Sequence, residues 1–333
     1  MPPSLKTDPS VARLAADLKL LKGATNPSEA ILEFCRQRVR KIASRFECVT
    51  LADLLQATAA DLSAIFIEVR SDEEIARVQH DYTRRGEFAF AGLTEQFPDN
   101  VYAITFGLHH RQPHEHRFVC VIDCRKNKAA RSYFSKWHEL AHLLTLTDQM
   151  QLKFRRTHAE PAAKDPEEAL MDVIAGEMGF FKSIVTAHVS EQISFEAIEQ
   201  VRLALCPEAS RQTALIGLVK AWPQPCLLID AQLATRKSDR INGGFEFYKP
   251  SSHALRAVRV TPNLAAKQSG LMLPSNMRVP ESSGIYRAFT DGRASLTNEC
   301  LSWWESQGKK RPAQAVRVEA RRRGDRVEAL IAA

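Results

Sequence analysis

Apolar side chains at Ile31, Phe34, Cys35, Val39, Ile42 and Phe46 recur at the spacing of one helix face and predict an amphipathic helix over 29–46. Asn26-Pro27-Ser28-Glu29 supplies its start, with a capping residue followed by proline. Weaker helical spacing precedes it over 11–21, and a short helix follows over 50–59. The stretch 61–69 has the composition of a strand, and 72–85 reads as a charged, exposed helix. Two runs rich in β-branched and aromatic residues, 101–108 and 117–123, predict paired strands. The polar turn between them, 109–116, carries four of the ten histidines and reads as facing water. Helical spacing returns over 129–147, 165–180, 193–205 and 210–222, the last two split by a turn containing Pro207. Beyond Pro223-Gln224-Pro225 the period falls to two. Strands are predicted at 226–229, 244–248, 255–260, 285–289, 315–320 and 326–331, with one helix over 296–307.

This order of elements predicts an α+β chain in three parts. An extension covers 1–27, a first domain covers 28–222 with its last helices (188–222) as an appendage, and a smaller α+β domain covers 223–333. Hydrophobic and charged contents of 44% and 26% are those of a globular protein. No apolar run approaches the roughly 18 residues of a membrane span, which sets a membrane aside as partner. The first residues do not read as an export signal, so the expected compartment is the cytoplasm and the seven cysteines are expected as reduced thiols. The charge of +7 is uneven: from 223 onward there are 18 Lys and Arg against 10 Asp and Glu.

The candidate chemistry lies inside the 129–147 helix, at His138-Glu139-Leu140-Ala141-His142. Histidines four residues apart share a helix face, where two imidazoles can bind one metal ion. Glu139, beside the first of them, is placed to act as a general base toward water. A third ligand is expected from the next helix. Asp165-Pro166 reads as a cap with proline in the first turn, and Glu168 then offers a carboxylate, with Glu167 competing for the same role. Asp172, one turn on, shares the face of Glu168 and is suited to accept the outer N–H of a ligand histidine. Tyr102, Tyr133 and His158 are the candidate donors to an oxyanion.

The pair of motifs, HELAHLL on one helix and Glu168-Ala-Leu-Met-Asp172-Val-Ile-Ala175 on the next, resembles the ImmA/IrrE family of metallopeptidases over about 28–222. In that family the second motif usually ends in Met-Pro, whereas here Ala175-Gly-Glu-Met-Gly-Phe-Phe181 has no proline. The resemblance implies a zincin-like domain in which His138, His142 and Glu168 bind zinc and Glu139 activates water. It also implies cleavage of a helix-turn-helix repressor that controls a stress or phage-defence operon. Longer members of the family carry a C-terminal GAF-like domain, which would correspond to 223–333. In the phage-defence and DNA-damage branches single-stranded DNA is the implied activator.

Three further readings attach to this one. Cys120 and Cys124, on and just after the strand leading to the catalytic helix, are candidate inhibitory thiols, since a thiolate there would occupy the metal's open position. That strand, running just ahead of the metal-binding helix, is also read as an edge able to take up an extended peptide. Lys309, Lys310, Arg311, Arg321, Arg322 and Arg323, with Trp303-Trp304, form a basic, aromatic set suited to single-stranded DNA. The alternative function is a non-catalytic DNA-binding regulator with a structural metal, reading DNA through 193–222. The near-neutral charge of that segment argues against it.

Overall fold

The structure is a computed structural model describing residues 8–20, 26–112, 114–146, 153–157, 165–189, 192–235, 253–306 and 309–333, with backbone alone at 153–157, 306, 309 and 310. The chain divides into two compact units, Met1–Ile184 with Arg202–Thr213, and Val185–Val201 with Ala214–Ala333. The boundary expected at 222/223 marks the start of a strand, while 185–201 and 214–222 group with the later sheet.

In the first unit helices α1 (Pro9–Asp17), α2 (Pro27–Arg45) and α3 (Leu51–Asp61) precede strand β1 (Ala64–Val69) and helix α4 (Asp72–Arg84). Strands β2 (Val101–Gly107) and β3 (Phe118–Asp123) follow, then helix α5 (Ser132–Leu144), strand β4 (Lys153–Thr157) and helix α6 (Pro166–Met178). The periodic stripe read on α2 is the buried one, with Ile31, Cys35, Val39 and Ile42 inside. Thr50 and Asp53 cap α3 reciprocally, the Thr50 hydroxyl accepting from the Asp53 N–H at 3.0 Å and the carboxylate accepting from the Thr50 N–H at 2.8 Å.

The sheet order is β1-β3-β2-β4, with β1 parallel to β3 and the other pairs antiparallel. This corrects the edge-strand reading. β3 is flanked on both sides, because the chain leaves β1, makes α4 and β2, and returns between them; among the described residues the edges are β1 and β4. On one face Val119 and Val121 of β3 and Ile104 and Phe106 of β2 join Val69, Ile75, Phe90 and Leu93 in a core, with the Phe90 and Phe106 rings stacked at 4.0 Å. The alternate residues, Thr105 and Cys120, are register partners on the other face, where α5 packs.

The turn from β3 into α5 is tied by a buried charge cluster. Asp123 accepts from Lys128 Nζ at 2.6 Å and from Arg125 Nη2 at 2.8 Å, and Lys128 also donates to the Val101 carbonyl at 2.9 Å. A 3₁₀ turn, Lys128–Arg131, then feeds α5, which has no side-chain cap. Ahead of β3, buried Glu87 holds the histidine-rich turn by accepting from the N–H groups of His109 and His110 at 2.7 and 2.6 Å.

Helices α7 (Lys182–His188), α8 (Phe195–Leu205) and α9 (Arg211–Ala221) lead to the second sheet. Its six antiparallel strands run in the order Met277–Arg278 (β7), Ala254–Pro262 (β6), Cys226–Ala234 (β5), Arg326–Ala332 (β12), Ala315–Arg323 (β11) and Ser295–Cys300 (β8). A core of Leu227, Ile229, Ala231, Val318, Ala320 and Ala329 lies on one face with Ile285, Ala288 and Trp304. Two expectations are corrected here. Residues 285–289 form part of a helix, Gly284–Asp291, and the described part of 296–307 holds β8, a short 3₁₀ turn and a two-residue strand (β9, Glu305–Ser306) that pairs with Lys309–Lys310 (β10). The helix starts where Ser283 accepts from the Ile285 N–H and the buried Glu299 carboxylate accepts from the Gly284 N–H at 2.7 Å. A Cβ at position 284 would lie 2.6 Å from Thr297 Oγ1 and 2.9 Å from Ser295 Oγ, so those side chains would have to shift to admit one. The predicted strand at 244–248 lies outside the described residues. Among the described residues no helix is long and apolar enough to cross a membrane.

Candidate metal centre

The site is built from α5 and α6. Nearly every side chain of α5 is buried, including His138, Glu139 and His142, because the helix is enclosed within its unit and its seams are apolar at Trp137, Leu140, Ala141, Leu143 and Leu144. Even Lys136 is inside, where burial lowers its ammonium but ion pairs to Glu68 at 2.8 Å and Glu208 at 2.9 Å outweigh that and raise it. Helix α6 begins as read: Asp165 accepts from the Glu167 N–H at 2.9 Å and Pro166 occupies the first turn. Glu168 and Asp172, one turn apart, then both face His138.

The distances define a single convergence point. His138 Nε2 lies 3.1 Å from Glu168 Oε2 and 3.2 Å from His142 Nε2, and His142 Nε2 lies 3.3 Å from Glu168 Oε1. On the far side of the ring, His138 Nδ1 is 2.9 Å from Asp172 Oδ1. An ionised carboxylate only accepts hydrogen bonds, so Nδ1–H donates to Asp172, and with a cation bound that tautomer offers Nε2 as a lone pair. That lone pair, the His142 nitrogen and the Glu168 carboxylate form an electron-rich trio that a cation satisfies. Ligand atoms bound tetrahedrally at about 2.0–2.1 Å lie about 3.3–3.4 Å apart, which matches the trio. These three residues are the group among those described that could hold a metal ion. Burial raises the Glu168 carboxyl, but His138 and His142 outweigh it and hold it well below the ordinary carboxylate range. Glu167 is not in the group, and burial followed by the neighbouring Asp165 raises its carboxyl.

Glu139 is fully buried beside the trio. Its Oε2 accepts from the Thr105 hydroxyl at 2.7 Å, and its Oε1 has no hydrogen-bond partner among the described residues. Thr105 escaped the sequence reading. The signal was present in the alternation of 101–108, which places Thr105 on the same sheet face as Cys120 once the hairpin register is known.

The two cysteines are not brought to the metal group. Cys120 is enclosed between β3 and Thr105, with its sulfur 3.1 Å from Thr105 Oγ1, and burial followed by the nearby Glu139 carboxylate pushes its thiol up. Cys124 sits past the end of β3, where burial, then Glu68, raises it. Both environments favour the neutral thiol, and neither sulfur is among the ligand atoms of the His138, His142 and Glu168 group. All seven cysteines are free. Tyr133 is committed elsewhere, donating to the Gly179 carbonyl at 2.5 Å from a buried position; Tyr102 packs beneath Arg131, 4.8 Å from the ring centre; His158 lies outside the described residues.

The basic residues of the second unit are dispersed. Arg321 and Arg323 both pair with buried Glu328, at 2.8 and 3.0 Å, and Arg321 also stacks on Phe195. Arg322 donates to the Phe289 carbonyl at 2.8 Å. Lys309 and Lys310 form β10, and the half-buried Arg311 follows, its N–H donating to the Trp304 carbonyl. Trp304 is fully buried and so is a core residue, while Trp303 is 43% exposed. In the helical pair proposed to read DNA, Arg202 caps its own turn through the Pro207 and Ala209 carbonyls, and Ala214, Leu215, Leu218 and Val219 are buried. No protein-family model matches the chain, and no curated protein matches it.

Proposed function

We propose that this chain is a zinc-dependent endopeptidase of the ImmA/IrrE type, with a zincin-like catalytic part and a GAF-like second part. Its substrate in this reading is a helix-turn-helix repressor, cleaved in the cytoplasm to release a stress or phage-defence operon, with single-stranded DNA as the activator. The observation that carries the reading is the convergence of His138, His142 and Glu168 with Asp172 behind His138, next to a buried carboxylate bound at only one oxygen. Two imidazole nitrogens and one carboxylate oxygen are a donor set of catalytic zinc sites, in which a further position stays open.

When bound, zinc supplies a Lewis acid that lowers the pKa of water and polarises a carbonyl. The chain's own residues do the rest. Asp172 holds His138 in the tautomer that frees Nε2. Glu139 takes a proton from water at Oε1 and passes it to the departing amine, as a general base and then a general acid. The enclosed surroundings of α5 keep bulk water away from that carboxylate. The antiparallel second sheet is consistent with a sensor domain, and its 18 basic residues against 10 acidic from 223 onward favour an anionic partner.

The test is incubation of the zinc-loaded protein with the small helix-turn-helix protein encoded beside it, with and without single-stranded DNA. Wild type should cleave and Glu139→Gln should not, with a loss of at least about 100-fold and unchanged zinc content. Cleavage by Glu139→Gln at the wild-type rate would remove Glu139 from the chemistry. A requirement for DNA should weaken steeply between low and physiological salt.

A further inference from the structure

We propose that Thr105 is the positioning residue of Glu139, an assignment that rests on the peptidase reading above. A threonine hydroxyl has one hydrogen, and it lies within reach of two acceptors, Glu139 Oε2 at 2.7 Å and Cys120 Sγ at 3.1 Å. A carboxylate oxygen is a stronger acceptor than a thiol sulfur, and the contact to it is the shorter, so the hydroxyl hydrogen goes to Glu139. The Cys120 thiol can then turn its own hydrogen toward the threonine oxygen. The result is a one-way chain, Cys120 to Thr105 to Glu139, linking β3 through β2 to α5.

Three observations make this more than packing. Thr105, Cys120 and Glu139 are all 0% exposed, so bulk water does not stand in for the hydroxyl. The flanking sequence, Val101-Tyr-Ala-Ile-Thr105-Phe-Gly, is otherwise apolar, and valine would fill the same space without a polar atom to bury. The carboxylate is satisfied at one oxygen only. A purely structural carboxylate in this enclosure would be expected to bond at both, since a buried oxygen without a partner costs about 1–3 kcal/mol. Fixing Oε2 stops the carboxylate from rotating and leaves Oε1 as the oxygen that meets the reacting proton.

Thr105→Val keeps the shape and removes the hydrogen bond, and Thr105→Ser restores it. Zinc-loaded wild type, both variants and Glu139→Gln are compared, with single-stranded DNA present, on a proteome-derived peptide library, with cleavage read by mass spectrometry and the best-cut peptide used for kinetics. Thr105→Val should lower kcat about 10- to 100-fold with KM within about twofold, and Thr105→Ser should return kcat to within about threefold of wild type. Zinc content should be the same in all four proteins. In the crystal structure of metal-free Thr105→Val, Glu139 should leave its wild-type rotamer. Unchanged kcat in Thr105→Val, a serine variant as slow as valine, or an unmoved Glu139 would overturn the assignment. Should valine prevent folding, Thr105→Ala replaces it with the same expectations. Absence of cleavage by wild type would instead overturn the peptidase reading, and the position of Glu139 in the variant crystal would still judge Thr105.

Discussion

His138 meets a carboxylate at each ring nitrogen, and the two carboxylates come from consecutive turns of one helix. Asp172→Ala removes the outer contact without touching a ligand. It should weaken zinc binding about 10- to 100-fold in competition with a chelator of known affinity, and unchanged affinity would deny Asp172 the orienting role. Asp123 tests a different buried charge. Burial raises its carboxyl, and Arg125 and Lys128 outweigh that and hold it below the ordinary value. A carboxyl lowered on folding contributes stability above the unfolded pKa of about 3.9, and the contribution is lost as pH falls through the lower folded value. Asp123→Ala should therefore cost about 3 kcal/mol in urea unfolding at pH 7, with the gap to wild type closing as pH drops below about 4. The His138 and His142 pair was legible in the sequence because four-residue spacing fixes a helix face. The surroundings of Cys120 were not, because a strand position does not reveal which neighbour encloses the thiol, and here Thr105 and burial do.

At the scale of elements, α5 and α6 are held close by their ends as well as by the ligands. Gly179 closes α6 and its carbonyl accepts from Tyr133 of α5; a Cβ there would lie 2.8 Å from the Ala175 carbonyl oxygen and 3.0 Å from Trp137 Cδ1. Gly179→Ala should destabilise the protein by about 1–3 kcal/mol in chemical denaturation, since the backbone must shift to admit the methyl. Wild-type stability in that variant would show that the two helices have slack. Capping explains which elements could be read in advance. Asp165-Pro166 announces α6 through local hydrogen bonds alone. Ile285, Tyr286 and Phe289 are β-branched or aromatic and mimic a strand, yet the Ser283 cap and the Glu299 carboxylate from β8 start a helix there. Residues 295–300 form a strand because β11 pairs with them, Thr297 opposite Val318, which is a long-range fact.

At the scale of the molecule, the metal would join two helices of one unit and no part of the other. Zinc at 100 times its Kd should stabilise the native state by about 2.7 kcal/mol. Hydrogen exchange should slow in α5 and α6 when zinc is added and stay unchanged across β5, β6, β11 and β12; protection confined to the second sheet would place the metal elsewhere. The excess basic charge belongs to the second unit's stretch, but its arginines are partly spent on Glu328 and Phe289, so the count alone overstates what is free for an anion.

The sequence by itself determined that His138, Glu139 and His142 lie together on one helix and Glu168 and Asp172 on one face of the next, the mixed α+β class and most strands of both sheets. These follow from periods of two and 3.6 and from caps, which act over a few residues. Only the tertiary structure decided that β3 is interior, that Glu168 and not Glu167 joins the two histidines, that Cys120 faces Thr105, and that Glu139 is bound at one oxygen. Each depends on which strand or helix returns beside which, and that choice is made by burial across long separations in the chain.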